Sequence, residues 1–225
     1  MRPSASTAVA KAVTVRALVF MDELQAGTGC RECGRRPADQ WLNDEGPLCD
    51  PCLNERIAAV TGMPRLPLAP PPVEVVGGDG RRHGLRYRLW RAPTGISVRL
   101  VEDRGEADDG FEFAVLGDHD ADVDQLAAQV RAEAEAEINR CYLEPTPQGA
   151  GWQLVGDNAA GRLVADMDGG PVRVVVDGRT LSWEELGEAL SPFEGWRFRL
   201  TIDDPVTDAR SDAAKAALGE QDLPG

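Results

Sequence analysis

Hydrophobic and polar positions alternate in two different periods along this chain, and the changes of period mark its elements. LRYRLWR (85–91) sets Leu85, Tyr87 and Leu89 on one face and Arg86, Arg88 and Trp90 on the other, a period of two that predicts a strand. Pro93-Thr94-Gly95 reads as a turn and ISVRLVE (96–102) as the returning strand, with FEFAVLG (111–117) as a third. The period then changes. Val123, Leu126, Val130, Ala134, Ile138 and Cys141 recur at helical spacing, which predicts one amphipathic helix over 120–143, stopped by Pro145 and Pro147. WQLVG (152–156), RLVADM (162–167) and VRVVV (172–176) return to strand patterns, and Asp168-Gly169-Gly170 signals a hairpin between the last two. Ser182 and Glu185 carry the spacing of a capping box, so a short helix should open there and run to about Leu190, before Ser191-Pro192. WRFRLTI (196–202) alternates again and predicts a final strand. The order β-β-β-α-β-β-β-α-β implies an α+β domain: a mostly antiparallel sheet with one long and one short helix on one face. Trp183 and Trp196 are expected in its core.

The first quarter of the chain is patterned by cysteine instead. Cys30-x2-Cys33-x15-Cys49-x2-Cys52 has the spacing of a zinc site. Each C-x-x-C turn points two thiolates at one ion, and two pairs complete a tetrahedron. Gly34 follows the first pair, where a knuckle turns through positive φ. Asn43-Asp44-Glu45-Gly46 suits the tip of a small hairpin. Asp50 and Pro51 suit the start of a helix, Leu53, Ile57 and Val60 its apolar face, and Gly62 its end. Cys49 and Cys52 therefore fall at a helix start, where the dipole favours thiolate. Four cysteines leave no open coordination position, which argues for one structural Zn2+ rather than a catalytic one. A redox C-x-x-C would need a βαβ context that this segment lacks.

Knuckle, hairpin and a helix carrying the second pair resemble the treble-clef zinc fingers of the GATA and LIM groups over residues 28–62. That resemblance implies a structural metal and a protein-binding or DNA-binding role. The segment carries four arginines (31, 35, 36, 56) against six acids (32, 39, 44, 45, 50, 55), so its charge departs from what DNA reading needs. Farther on, DGRTLSWEELGEALSPFEGWRFRL (177–200) resembles an uncharacterised bacterial family, a likeness that brings no activity with it.

Composition and charge narrow the rest. The 225 residues carry a net charge of −14, which repels phosphate backbones and anionic membranes. Hydrophobic residues make up 42%, enough for a core. Lys11 and Lys215 are the only lysines. With abundant Ala, Gly, Val and Asp, that bias suggests a GC-rich bacterial genome. The opening lacks the apolar run of a secretory signal, and the expected compartment is the cytoplasm. Residues 1–27 read as a flexible leader, 63–73 with five prolines as a stiff linker, 74–204 as the α+β domain, and 205–225 as a disordered acidic tail with a short helix near 208–218.

Other stretches suggest chemistry that plainer explanations also cover. Arg81, Arg82, Arg86, Arg88 and Arg91, with Tyr87 and Trp90, could form an anion or single-strand nucleic-acid strip; solvated arginines paired with acids account for them more simply. Residues 102–124 hold ten acids. Their 118–129 stretch resembles a calcium loop only superficially, having Val123 where the loop needs Gly and Gln129 where it needs Glu. Those acids are expected to cap and charge the long helix. Cys141 is expected as a buried core cysteine, and His83 and His119 carry no catalytic motif. Asp166, Asp168, Asp203 and Asp204 are carboxylates too ordinary to assign. No residue receives a catalytic role. The sequence points to a non-enzymatic zinc-binding protein recognising another protein, with a nucleic-acid-associated regulator and an acid-site enzyme as alternatives.

Overall fold

The computed structural model describes residues 29–42, 46–102, 110–147, 149, 151–166 and 169–202. The leader, the tail with its 208–218 helix, the 43–45 tip, Asp168 and Asp203–Asp204 lie outside the described residues. The chain divides into two compact units, Met1–Cys49 and Asp50–Gly225.

In the first unit the turn-rich tetrapeptide produces a hairpin. β1 (Gln40–Leu42) pairs antiparallel with β2 (Gly46–Leu48), with Trp41 opposite Pro47. Gly46 closes it at φ 77.

The second unit begins with α1 (Asp50–Thr61). Gly62 ends it at φ 72, donating its N–H to the Ala58 carbonyl. β3 (Val73–Val76), β4 (Arg82–Ala92), β5 (Gly95–Glu102) and β6 (Glu112–Gly117) follow as a four-stranded antiparallel sheet in chain order. Pro93-Thr94 turns β4 into β5, and Gly95 adopts φ 148, where a Cβ would strike the Gly117 carbonyl. α2 (Val123–Ile138) covers one face. Its Val130, Ala134 and Ile138 pack with Leu85, Leu89, Val98, Leu100 and Val115 into the first core cluster. The Asp122 carboxylate caps α2 by accepting the Asp124 and Gln125 N–H groups.

A second cluster is built from smaller pieces. β7 (Leu143–Pro145) pairs with β8 (Trp152–Leu154); β9 (Arg162–Val164), β10 (Arg173–Val176) and β11 (Arg179–Leu181) form a sheet in the order β11-β10-β9. α3 (Trp183–Ala189) opens with the full capping box of Ser182 and Glu185. A 3-10 turn follows at Ser191–Phe193. Leu143, Leu154, Val174, Val176, Leu181 and Ala189 make this core.

The fold class is α+β with antiparallel sheets, but several details differ from expectation. One sheet was expected; the described strands form four. β3 and β11 carried too short a pattern to stand out. α2 stops at Ile138, five residues early, because the Asp177 carboxylate takes the N–H groups of Tyr142 and Leu143 and Leu143 pairs with Leu154. Pro145 therefore lies in a strand, and Cys141 lies beyond the helix, half-buried. Residues 196–202 are not a strand: no described strand pairs with them, and alternation supplies a period but no partner. Trp196 is 66% exposed and Trp183 45%, so neither is a core residue.

α1 is seated on β4 by a specific device. β3 pairs with β4 only as far as Leu85, and no described strand covers the same edge of β4 beyond it. The Asn54 side chain fills that gap like a peptide group, Nδ2 donating to the Leu89 carbonyl at 2.7 Å and Oδ1 accepting the Arg91 N–H at 3.0 Å. Asn54 is buried, so these bonds satisfy groups that water does not reach. Nearby, the Arg88 guanidinium donates to both oxygens of Asp50 at 3.2 and 3.3 Å.

Candidate metal centre

The knuckle begins where Cys30 donates its N–H to the Arg36 carbonyl and accepts the Gly34 N–H on its own carbonyl, both at 2.8 Å. Gly34 makes this turn at φ 60, where an L side chain would be strained. The Arg31 N–H reaches the Pro47 carbonyl and the Asp39 N–H the Leu48 carbonyl, tying the knuckle to the hairpin. Cys49 follows β2 directly, and Cys52 sits in the first turn of α1.

The Sγ atoms of Cys30, Cys33, Cys49 and Cys52 all lie within 4.8 Å of one another. A tetrahedral zinc centre with metal–sulfur bonds of about 2.3 Å has sulfur–sulfur edges of about 3.8 Å. Cys33 and Cys49 lie at 3.8 Å, far beyond the roughly 2.05 Å of a disulfide. None of the four takes part in a disulfide; Cys30 and Cys49 are buried, Cys33 and Cys52 half-buried. Donor type, number and spacing fit a zinc ion.

The surroundings also favour the ligating form. Burial works to raise the Cys30 thiol, yet the main-chain N–H groups of Cys33, Cys49 and Glu32 bring it down to about 6. The Arg35 N–H foremost, then that of Arg36, holds Cys33 below its ordinary value. Thiolates are the metal-binding species, so the backbone presents sulfur in the charge state zinc requires.

The arginine strip is placed differently. Arg82 pairs with Glu74 at 2.9 Å and Arg81 lies 4.0 Å from Asp79. Arg88 is bound to Asp50, and the Arg91 guanidinium, buried, donates to the carbonyls of His119 and Pro64. Arg86 is half-buried on β4. The 103–109 part of the acidic run lies outside the described residues. At its ends, Glu102 meets His83 and Glu112 meets Arg99 and Arg162. Of the four carboxylates raised for an enzyme site, Asp166 alone is described.

Sequence reasoning missed one juxtaposition. His83 and Cys141 both line a cavity of about 20 Å3, with Asp79, Phe111 and Asp177 among the other walls. His83 Nδ1 lies 2.9 Å from Glu102 Oε1, and both side chains are buried. The thiol is not activated: burial first, then the Asp177 and Asp79 carboxylates, raises Cys141 above its ordinary value. The space holds about one water. The Asp177-Gly178 turn that walls it was legible, since Asp-Gly between apolar runs marks a two-residue hairpin with positive φ at both positions; φ is 51 and 66.

No described helix is long and apolar enough to cross a membrane. No curated protein and no solved structure matches the chain. Residues 67–139 match a family model described as Domain of unknown function (DUF7686), and residues 142–207 match a second, Domain of unknown function (DUF7713). The cysteine cluster precedes both matches, and the chain joins this four-cysteine centre to two regions similar to uncharacterised families.

Proposed function

We propose that this chain is a non-enzymatic, cytoplasmic zinc-binding protein. In this reading Cys30, Cys33, Cys49 and Cys52 hold one structural Zn2+ in a treble-clef-like module that serves recognition of another protein. The observation that carries it is the convergence of four thiols within 4.8 Å. Bound zinc supplies a rigid, closed crosslink with no open position for substrate. Knuckle, hairpin and helix occur in the order that the treble-clef resemblance requires. The role in recognition draws support from a net charge of −14, unsuited to nucleic acid, and from a Cys141 thiol held in its unreactive form.

Native mass spectrometry of purified protein should show one zinc per chain, lost in Cys30→Ser/Cys33→Ser. Metal-free protein with amides 30–61 still protected from exchange would overturn the zinc reading. Affinity capture from the native host, with wild type and that double variant as baits, tests recognition. A partner held by wild type and lost by the variant supports it; none with either bait counts against it.

A further inference from the structure

We propose that Arg88 is a positioning residue for the metal centre: through Asp50 it fixes the first turn of α1 and so aims the Cys52 sulfur at the ion. The inference rests on the zinc reading above and concerns what sets the affinity of that site. It starts from how little apolar surface holds α1. Of the helix's residues Asp50, Leu53 and Asn54 are buried, and Val60, which its spacing assigns to an apolar face, is 80% exposed. Helices in proteins are held mainly by the packing of an apolar face. With Leu53 as the one buried apolar side chain, the orientation of α1 falls to its polar bonds.

Asp50 and Asn54 lie one turn apart on the same side of the helix, and both reach β4. Asn54 bonds the main chain of Leu89 and Arg91. Asp50 receives the Arg88 guanidinium at two points, Nε on Oδ2 at 3.2 Å and Nη2 on Oδ1 at 3.3 Å. A two-point fork fixes direction as well as distance. The fork is itself steadied, since the guanidinium lies 5.8 Å from the centre of the Trp90 ring. Cys52 stands two residues after Asp50 in that turn, so a roll of the turn displaces its sulfur. Groups that build a metal site must be held to within about 0.5 Å.

Charge separates positioning from a field effect. The Asp50 carboxylate is 8% exposed and adjoins Cys49. A buried negative charge there opposes the gathering of thiolates, so its field lowers zinc affinity while its grip on Arg88 raises it. Removing that charge tightens binding if the field dominates and weakens it if positioning does.

Competition of the full chain with a chromophoric chelator for zinc, and the visible spectrum of cobalt-loaded protein, test this. Arg88→Met should weaken zinc binding about 10–100-fold and distort the cobalt bands of a tetrahedral thiolate site. Arg88→Lys keeps the charge without the fork and should weaken binding about tenfold. Asp50→Asn should also weaken it about tenfold, against the sign of the field. Arg82→Met removes the same charge from an exposed pair on the same strand, and Leu100→Ala loosens the core; both should leave affinity and spectrum unchanged. Circular dichroism verifies folding, and if Arg88→Met does not fold, Arg88→Lys and Asp50→Asn carry the test. Folded Arg88 variants with wild-type affinity, a tighter Asp50→Asn, or an equal loss in Leu100→Ala would overturn the proposal. Wild type that takes up no zinc would remove the zinc reading and this proposal together, whereas zinc-binding wild type with indifferent variants removes the proposal alone.

Discussion

Asn54 shows how much one side chain can carry. It replaces a missing strand at two backbone groups of β4, so Asn54→Ala leaves the Leu89 carbonyl and the Arg91 N–H both buried and unpaired. The expected loss is about 2–4 kcal/mol of unfolding free energy by urea titration, against less than about 1 kcal/mol for an exposed position on the same helix such as Ala59→Ser. At the metal centre, Cys52→Ser should abolish zinc retention after dialysis, measured by metal analysis of the protein peak, because a hydroxyl does not replace a thiolate in the shell. The cysteines announced themselves, since their chemistry and spacing are written locally. Asn54 did not: its role depends on a strand edge more than 30 residues away, and nothing near it in sequence says that β3 is too short to cover β4.

Local chemistry fixed the start of α3 better than its surroundings did. The Ser182 main-chain N–H, bonded to the Glu185 carboxylate, holds that group below the ordinary carboxylate range. The unfolded chain binds the proton more tightly, so the stabilisation is complete above the ordinary Glu value and fades as pH falls toward the lowered one. Glu185→Gln should therefore be less stable than wild type at pH 7, and the difference should shrink in parallel thermal scans as pH falls below the ordinary Glu range. Ser182→Ala should cost about 1 kcal/mol at neutral pH. The box was readable because both partners lie within one turn. The end of α2 was not, since Asp177 claims the N–H groups of Tyr142 and Leu143 from 35 and 34 residues away. Leu100 belongs to the part that alternation did reveal; fully buried in β5, its change to Ala should cost about 2–5 kcal/mol.

At the scale of the molecule, the α+β class and antiparallel pairing followed from the two periods, whereas the division into separate clusters did not. Alternation tells which face of a strand is apolar but not which strand lies beside it, so 152–176 read as one continued sheet with 85–117. Removal of the proposed metal would act at this scale. A structural zinc contributes roughly 10–16 kcal/mol of binding free energy to the order of its module. A strong chelator should raise hydrogen exchange from Cys30 through the first turns of α1 while amides in β10 and α3 keep their protection. The helix that carries Cys52 also carries Asn54, two residues on. Once its first turn frays, the polar rim of β4 lies open to any passing chain. Stripped or oxidised preparations should then turn cloudy on standing before they unfold, and restoring the ion together with a reductant should keep them clear.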